Sequence, residues 1–371
     1  MKRIVASLAA LSLFALTACQ QSSNTIKLGV IAPLTGDVAG LGADTTNGVK
    51  MAIEEINAKG GVGGKMIELV AEDGKCNGAD AGAAAQKLVN VDKVIAIIGG
   101  DCSGETLAAA PITEAAKVVL LSPTSSSPDV TKAGDFVFRN YPSDALKTVA
   151  MAKLMKDKGW KKLAMISENT DFSQGFRKSL LEKLPKNQVV FDETVEPGTK
   201  DFRTLLTRLK SLEFDVFFPN GNSDAVIGPM LQQLREAGLT QKALAHDAGD
   251  SVTMAENLKE VTEGFMVINV PSTLTDDGSF QKNFETKYGK AQYGISFAGY
   301  AYDNVKLLAD LMGKGAMDGT ALKDALYALT SYKGVVGTFH FDKNGDVIGI
   351  PYVLKKFHDG KIETLEPINV Q

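Results

Sequence analysis

The chain has 371 residues, 44% of them apolar, with 40 basic against 44 acidic side chains and a formal net charge of −4. That length supports two domains with separate cores, and the slight acidity argues against a nucleic-acid partner, which needs a basic face. Beyond the N-terminus no apolar run is long enough to cross a bilayer.

The first element is MKRIVASLAALSLFALTAC. Lys2 and Arg3 precede an apolar stretch that closes on small residues, the layout of an export signal over residues 1–18 and too short for a membrane span. Leu16-Thr17-Ala18-Cys19 resembles a bacterial lipobox, in which the cysteine is acylated and becomes the mature N-terminus; the alternative is an ordinary cleavable signal in which Cys19 is incidental. Residues 19–24 then form a short polar tether. Export is expected, with the lipid on Cys19 as the sole membrane contact.

Strand and helix signals alternate from Thr25 onward. TIKLGVIAPL is a buried strand, TTNGVKMAIEEINAKG an amphipathic helix and KMIELVAED a second strand. ADAGAAAQKLVNVD, CSGETLAAAPITEAAK and their partners KVIAIIGG and VVLLSP continue the order, which is that of a parallel sheet with covering helices. After FVFRNYPSD the pattern restarts: DALKTVAMAKLMKDKG, KKLAMISE, SQGFRKSLLEKLP, QVVFDETV, DFRTLLTRLKSLE and FDVFFPN repeat helix and strand, and the unit runs on to Pro271. Two similar units imply an α/β protein of two lobes. The tail from Val336, with alternating residues and Asn-Gly and Asp-Gly turns, reads as antiparallel hairpin.

Several tempting motifs carry no chemistry. GGVGGK at 60–65 follows a helix and lacks the Ser/Thr after lysine that a phosphate loop requires, so it is a helix C-cap and turn. DKNGD at 342–346 has its glycine too early for a calcium loop and reads as a hairpin turn. His246, His340 and His358 are scattered and no CxxC pair occurs, so neither a metal nor a cofactor is expected. With Cys19 assigned to the lipobox, Cys76 and Cys102 are left as an even pair in an oxidising compartment, for which a disulfide is the economical pairing. No nucleophile elbow surrounds Ser103, so an enzyme is not expected.

The stretch VIAIIGGDCSGETLAAAPI places a helix N-terminus directly after a strand and a tight turn. Free N–H groups and the positive end of the helix dipole attract an anion there, and Ser103 and Thr106 add hydroxyl donors. VVLLSPTSSSPDV sets Thr124, Ser125, Ser126 and Ser127 at the carboxyl end of the next strand, where ligands of parallel sheets collect. Ser125 and Ser127 read as turn caps.

The succession of lipobox, IAPLTG, INAKGGVGGKMIELVAEDGKC, IIGGDCSGET, LLSPTSSSPDVT, DFSQGF, DFRTLLTRLK and VVGTFHFDKNGD resembles the substrate-binding proteins of branched-chain amino-acid ABC transporters, over essentially the whole mature chain. The resemblance implies two Rossmann-like lobes with parallel-sheet cores, joined by three crossovers and closing on a ligand in the cleft between them, the periplasmic binding protein type I fold. It divides the chain into lobe one, residues 25–141 and 272–338, and lobe two, residues 142–271 and 339–371. It makes Cys76–Cys102 a disulfide beside the site. It assigns Ser103 to the ligand carboxylate, and Thr124 and Ser126 to carboxylate and ammonium. Asp247 stands where an acid, more usually glutamate, pairs with the ammonium; a lone acid facing the cleft favours a cationic ligand group. Leu41 and Phe172 fall where the family presents tyrosines, Asn222 near another, and Phe297 aligns with an aromatic that closes the pocket, with Cys102 beside it. Tyr300 and Tyr302 are core or pocket wall, at least one of them core. The implied partners are a small amino acid and the permease subunits of an ABC transporter, with the binding protein itself a monomer. The alternatives are an amide or urea binder and a sensing module of the same fold.

Overall fold

The computed structural model describes residues 25–272, 274, 275 and 277–368; the export segment, Cys19 and the tether lie outside the described residues. The first lobe is built on a parallel sheet of β1 (Thr25–Ala32), β2 (Met66–Asp73), β3 (Ala96–Gly99), β4 (Val119–Ser122) and β5 (Val137–Arg139), ordered β2-β1-β3-β4-β5. Its central strands β3 and β4 are buried along their whole length, and their alternate residues feed two different cores. Ala96, Ile98, Val119 and Leu121 join Val49, Ile53 and Leu308 on one face, while Ile97 and Leu120 join Ala81, Ala85 and Ala109 on the other. A two-sided core of this kind is why these strands are continuous apolar runs.

The second lobe repeats the plan with β6 (Leu163–Glu168), β7 (Val189–Val195), β8 (Val216–Asn220), β9 (Lys242–Ala245) and β10 (Met266–Asn269), all parallel. The chain then returns to the first lobe with the helices Ser279–Tyr288, Ile295–Gly313 and Gly319–Tyr327, and with a small antiparallel sheet of β11 (Tyr332–Lys333), β12 (Thr338–Phe341) and β13 (Val347–Ile348). It ends in the antiparallel hairpin β14 (Tyr352–His358) and β15 (Lys361–Ile368), which completes the second sheet in the order β15-β14-β10-β9-β8-β6-β7.

Residues 339–348, expected in the second lobe, belong to the first. Phe339, Phe341 and Val347 are buried in the same core as Leu28 and Val30, and the Phe341 ring meets Phe138 edge-on at 5.4 Å. The third crossing therefore lies between Ile348 and Tyr352 instead of at the expected boundary of residues 338 and 339. In the hairpin turn, Asp346 forms an ion pair of 2.6 Å with the buried Arg139 at the end of β5, which pins the turn to the first sheet. The three crossings meet in space. Tyr141 in the first donates its hydroxyl to Asn269 Oδ1 in the second at 2.6 Å, and Tyr352 in the third donates to the Ser143 carbonyl at 2.8 Å.

Candidate functional site

Between the lobes, at the carboxyl ends of the parallel strands, lies a cleft of about 490 Å³ including its open mouth. Leu41, Asp101, Cys102, Ser103, Thr124, Tyr293 and Phe297 line it from the first lobe, and Phe172, Asn222 and Asp247 from the second.

Its first wall grows out of the turn after β3. Gly99 has φ +133°, and a Cβ on Gly100 would stand 2.3 Å from that of Glu105, so this turn can fold back on the next helix only with glycines. The helix Ser103–Ala116 starts at once, with Cys102 as its N-cap. Glu105 reaches back and accepts the N–H groups of Cys76 at 2.9 Å and Cys102 at 3.0 Å, fixing both ends of the Cys76–Cys102 disulfide with one carboxyl. Burial pushes the Glu105 carboxyl up to about 7, although these N–H groups pull it down.

Two hydroxyls on this wall have opposite duties. Ser103 Oγ accepts the Ser127 N–H at 3.1 Å, so its own proton remains to be donated into the cleft, at the positive end of the helix that Ser103 opens. Thr124 donates its proton to the Asp101 carbonyl at 2.6 Å and keeps its lone pairs as acceptors. The wall thus offers donors for a carboxylate and an acceptor for an ammonium group within a few residues. Ser126 does not share in it. Its hydroxyl turns away to Asp144 Oδ2 at 2.9 Å, and it is absent from the cleft lining. Ser125 donates to the Gly100 carbonyl at 2.8 Å and Ser127 to the Asp171 carbonyl at 3.4 Å, so both brace the loop.

Asp247, in the short turn after β9, reaches the cleft but is not a lone acid. Lys147, with no exposed surface, forms ion pairs with Asp247 and, at 2.7 Å, with Asp144. Its ammonium also sits 5.7 Å from the Tyr141 ring centroid and 5.8 Å from that of Tyr352. Burial pushes the Asp247 carboxyl up, but the Lys147 charge beside it prevails and holds it below the usual carboxylate range. The expectation of a lone acid fails because a lysine 100 residues earlier, on the helix Asp144–Asp157, is folded underneath it.

The apolar lining comes from both lobes. The helix Ala39–Ala58 begins six residues before its TTNGVK signal, which puts Leu41 in its first turn and at the cleft. Phe172 packs edge-on against the buried His246 ring at 4.6 Å, and that imidazole is pushed down to about 3 by burial and stays neutral. Phe297 stacks on Tyr141 at 5.9 Å. Asn222 Nδ2 approaches Cys76 Sγ at 3.2 Å, joining the second lobe to the disulfide. Tyr300 is buried against Tyr141, Tyr302 bonds Glu55, and neither lines the cleft.

Four residues that line the cleft, Val38, Asp101, Ala248 and Tyr293, are not expected from the sequence, and two of them are polar. Tyr293 is held there by Asp44, which accepts the N–H groups of Gln292, Tyr293 and Gly294, and its hydroxyl approaches Asp224 of the second lobe at 3.4 Å. Asp101 is 4% exposed and accepts the Thr45 hydroxyl on Oδ2 at 2.6 Å. Burial, and next the nearby Glu105, push its carboxyl well above the usual range. The periodic pattern marks strands and helices; it gives no signal for either residue.

The family model described as periplasmic binding protein matches residues 25–355. A Leu/Ile/Val-binding protein of Citrobacter freundii is 32% identical over 340 residues, 91% of this chain and 92% of the relative. Among solved structures, a leucine-binding protein of Thermotoga maritima superposes with a TM-score of 0.85 at 28% identity, covering 93% of this chain and 99% of that one. A branched-chain amino-acid transporter substrate-binding protein of Streptococcus pneumoniae, in complex with isoleucine, gives 0.81 at 29% identity with the same coverage.

Proposed function

The chain belongs to the periplasmic binding protein family, and on that footing we propose that it captures a small amino acid with an apolar side chain between its lobes and delivers it to an ABC permease. The observation that carries this reading is the first-lobe wall, where the Ser103 hydroxyl and the adjoining helix start can hold a carboxylate while Thr124 accepts from an ammonium. Leu41, Phe172 and Phe297 leave an apolar space for the side chain. One methylene there is worth only ~1–3 kcal/mol of discrimination, so related aliphatic side chains are expected to share the site.

The ligand is bound and released without a bond being made or broken. Ser103 has the Ser127 N–H on its oxygen and, among the described residues, no hydrogen bond to a histidine that could take its proton, so we read it as a binding and not an attacking group. The protein works outside the cytoplasm as a monomer, held to the membrane through a lipid on Cys19. Fatty-acid labelling of the wild type, lost in Cys19→Ser, tests the anchor.

The ligand itself is tested by a thermal-shift screen of refolded protein against amino acids, short amides and urea. A compound at ~100 times its Kd adds ~2.7 kcal/mol of stability. A shift with apolar amino acids is expected; a shift with amides alone would replace the reading with that of an amide binder.

A further inference from the structure

The two acids of the cleft differ in what already balances them. Asp247 shares the buried Lys147 with Asp144, so its carboxylate has a counter-charge before any ligand arrives. The two carboxyls still outnumber that one ammonium, but the surplus charge is shared with Asp144, which is fully buried and does not line the cleft. Asp101, on the opposite wall, has no ion pair with any Lys, Arg or His among the described residues, and the Thr45 hydroxyl is its hydrogen-bond partner on Oδ2. The charged groups that face it are themselves acids, Glu105 on the helix Ser103–Ala116 and Asp44 on the helix Ala39–Ala58. Its backbone carbonyl is the acceptor of the Thr124 hydroxyl, which places Asp101 beside the hydroxyl whose lone pairs are free for an ammonium.

We propose that Asp101 is the acidic partner of the ligand's ammonium group, so that Ser103, Thr124 and Asp101 form a complete zwitterion clamp on the first lobe. This rests on the reading of the ligand as an amino acid. A carboxyl buried among acids holds its proton while the cleft is empty, because ionising it there costs more than leaving it neutral. Arrival of an ammonium supplies the missing cation, and the Asp101 proton passes to solvent as the ion pair forms. The ligand therefore docks on the first lobe with both charged ends satisfied, and the second lobe closes over it with Phe172 and Asn222. Asp247 then acts through Lys147 on the crossing and leaves the ammonium to Asp101.

The test is calorimetry on the ligand-free mature protein with leucine, alanine and phenylalanine, and with the α-hydroxy acids of the same side chains. The wild type should prefer the amino acids, and each binding event should release close to one proton, read from the dependence of the binding enthalpy on the buffer's ionisation enthalpy. Asp101→Asn should weaken amino-acid binding by tenfold or more, erase most of the preference over the hydroxy acids and abolish the proton release. Asp247→Asn should keep the preference. Melting of the empty variants guards against misfolding: Asp101→Asn and Asp101→Ser remove a buried acid that has no cation, so neither should melt below the wild type. If Asp101→Asn keeps preference and proton release while Asp247→Asn loses the preference, the ammonium belongs to Asp247 and the proposal falls alone. If the wild type binds none of the three amino acids, the amino-acid reading falls first and takes the proposal with it.

Discussion

Tyr141 donates its hydroxyl to Asn269 Oδ1 at 2.6 Å, and through that bond the first crossing between the lobes is tied to the second. Both residues are buried, and the Val270 N–H shares the same oxygen at 2.7 Å. Tyr141→Phe removes the donor and leaves a buried acceptor short of one partner. The expected cost is ~1–2 kcal/mol in urea unfolding. An unchanged unfolding midpoint would mean that water replaces the hydroxyl.

Among the described residues, Lys147 is the one cation ion-paired within the Asp144–Asp247 cluster. Lys147→Met keeps the length of the side chain and leaves two buried carboxyls without a counter-charge, which should destabilise the protein by ~3–5 kcal/mol. Adding Asp247→Asn to that variant should recover part of the loss. A variant as stable as the wild type would show that both acids simply take up protons.

Ser103→Ala deletes the hydroxyl that faces the cleft and the acceptor of the Ser127 N–H. Amino-acid affinity should fall by about tenfold, ~1.4 kcal/mol. Calorimetry reads it directly. An affinity within twofold of the wild type would leave the carboxylate to the backbone N–H groups alone.

Glu105 makes the stability depend on pH in a direction unusual for a carboxyl. Its folded pKa is raised to about 7 from an ordinary 4.5, so the folded protein holds this proton where the unfolded chain has lost it. The stability it contributes is complete below the unfolded value and is lost as pH rises through about 7. Melting temperature should therefore fall more between about pH 5 and pH 8 in the wild type than in Glu105→Gln. Equal slopes would assign the dependence to other groups.

The alternation of apolar strands and amphipathic helices makes both sheets legible, since strands buried on two faces have no other sequence they can be. Ser103, Thr124, Leu41, Phe172, Asn222 and Asp247 come together at one cleft because each follows the carboxyl end of a parallel strand, and Phe297 joins them from the start of the helix Ile295–Gly313. What could not be read is long-range pairing. Lys147 lies in a lysine-rich helix where a cation looks solvated, and only the fold puts it under Asp247. Ser126 looks like its neighbours until Asp144 claims its hydroxyl. Phe339 and Phe341 alternate as either lobe's edge strand would, and the choice rests on their ring contacts with Phe138 and Tyr332.

The two tyrosine hydroxyl bonds at the crossings have a mechanical consequence. Both bonds join one crossing to another on the side of the second lobe, Tyr141 to Asn269 at the end of β10 and Tyr352 at the start of β14 to Ser143, so the three crossings are tied into one strap. If the lobes turn about that strap, the cleft works as a caliper: the thickness of whatever lies between the Ser103 wall and the Phe172 wall would set the angle of the jaws, and the identity of a molecule hidden inside would be displayed outside as the spacing of two distant surfaces.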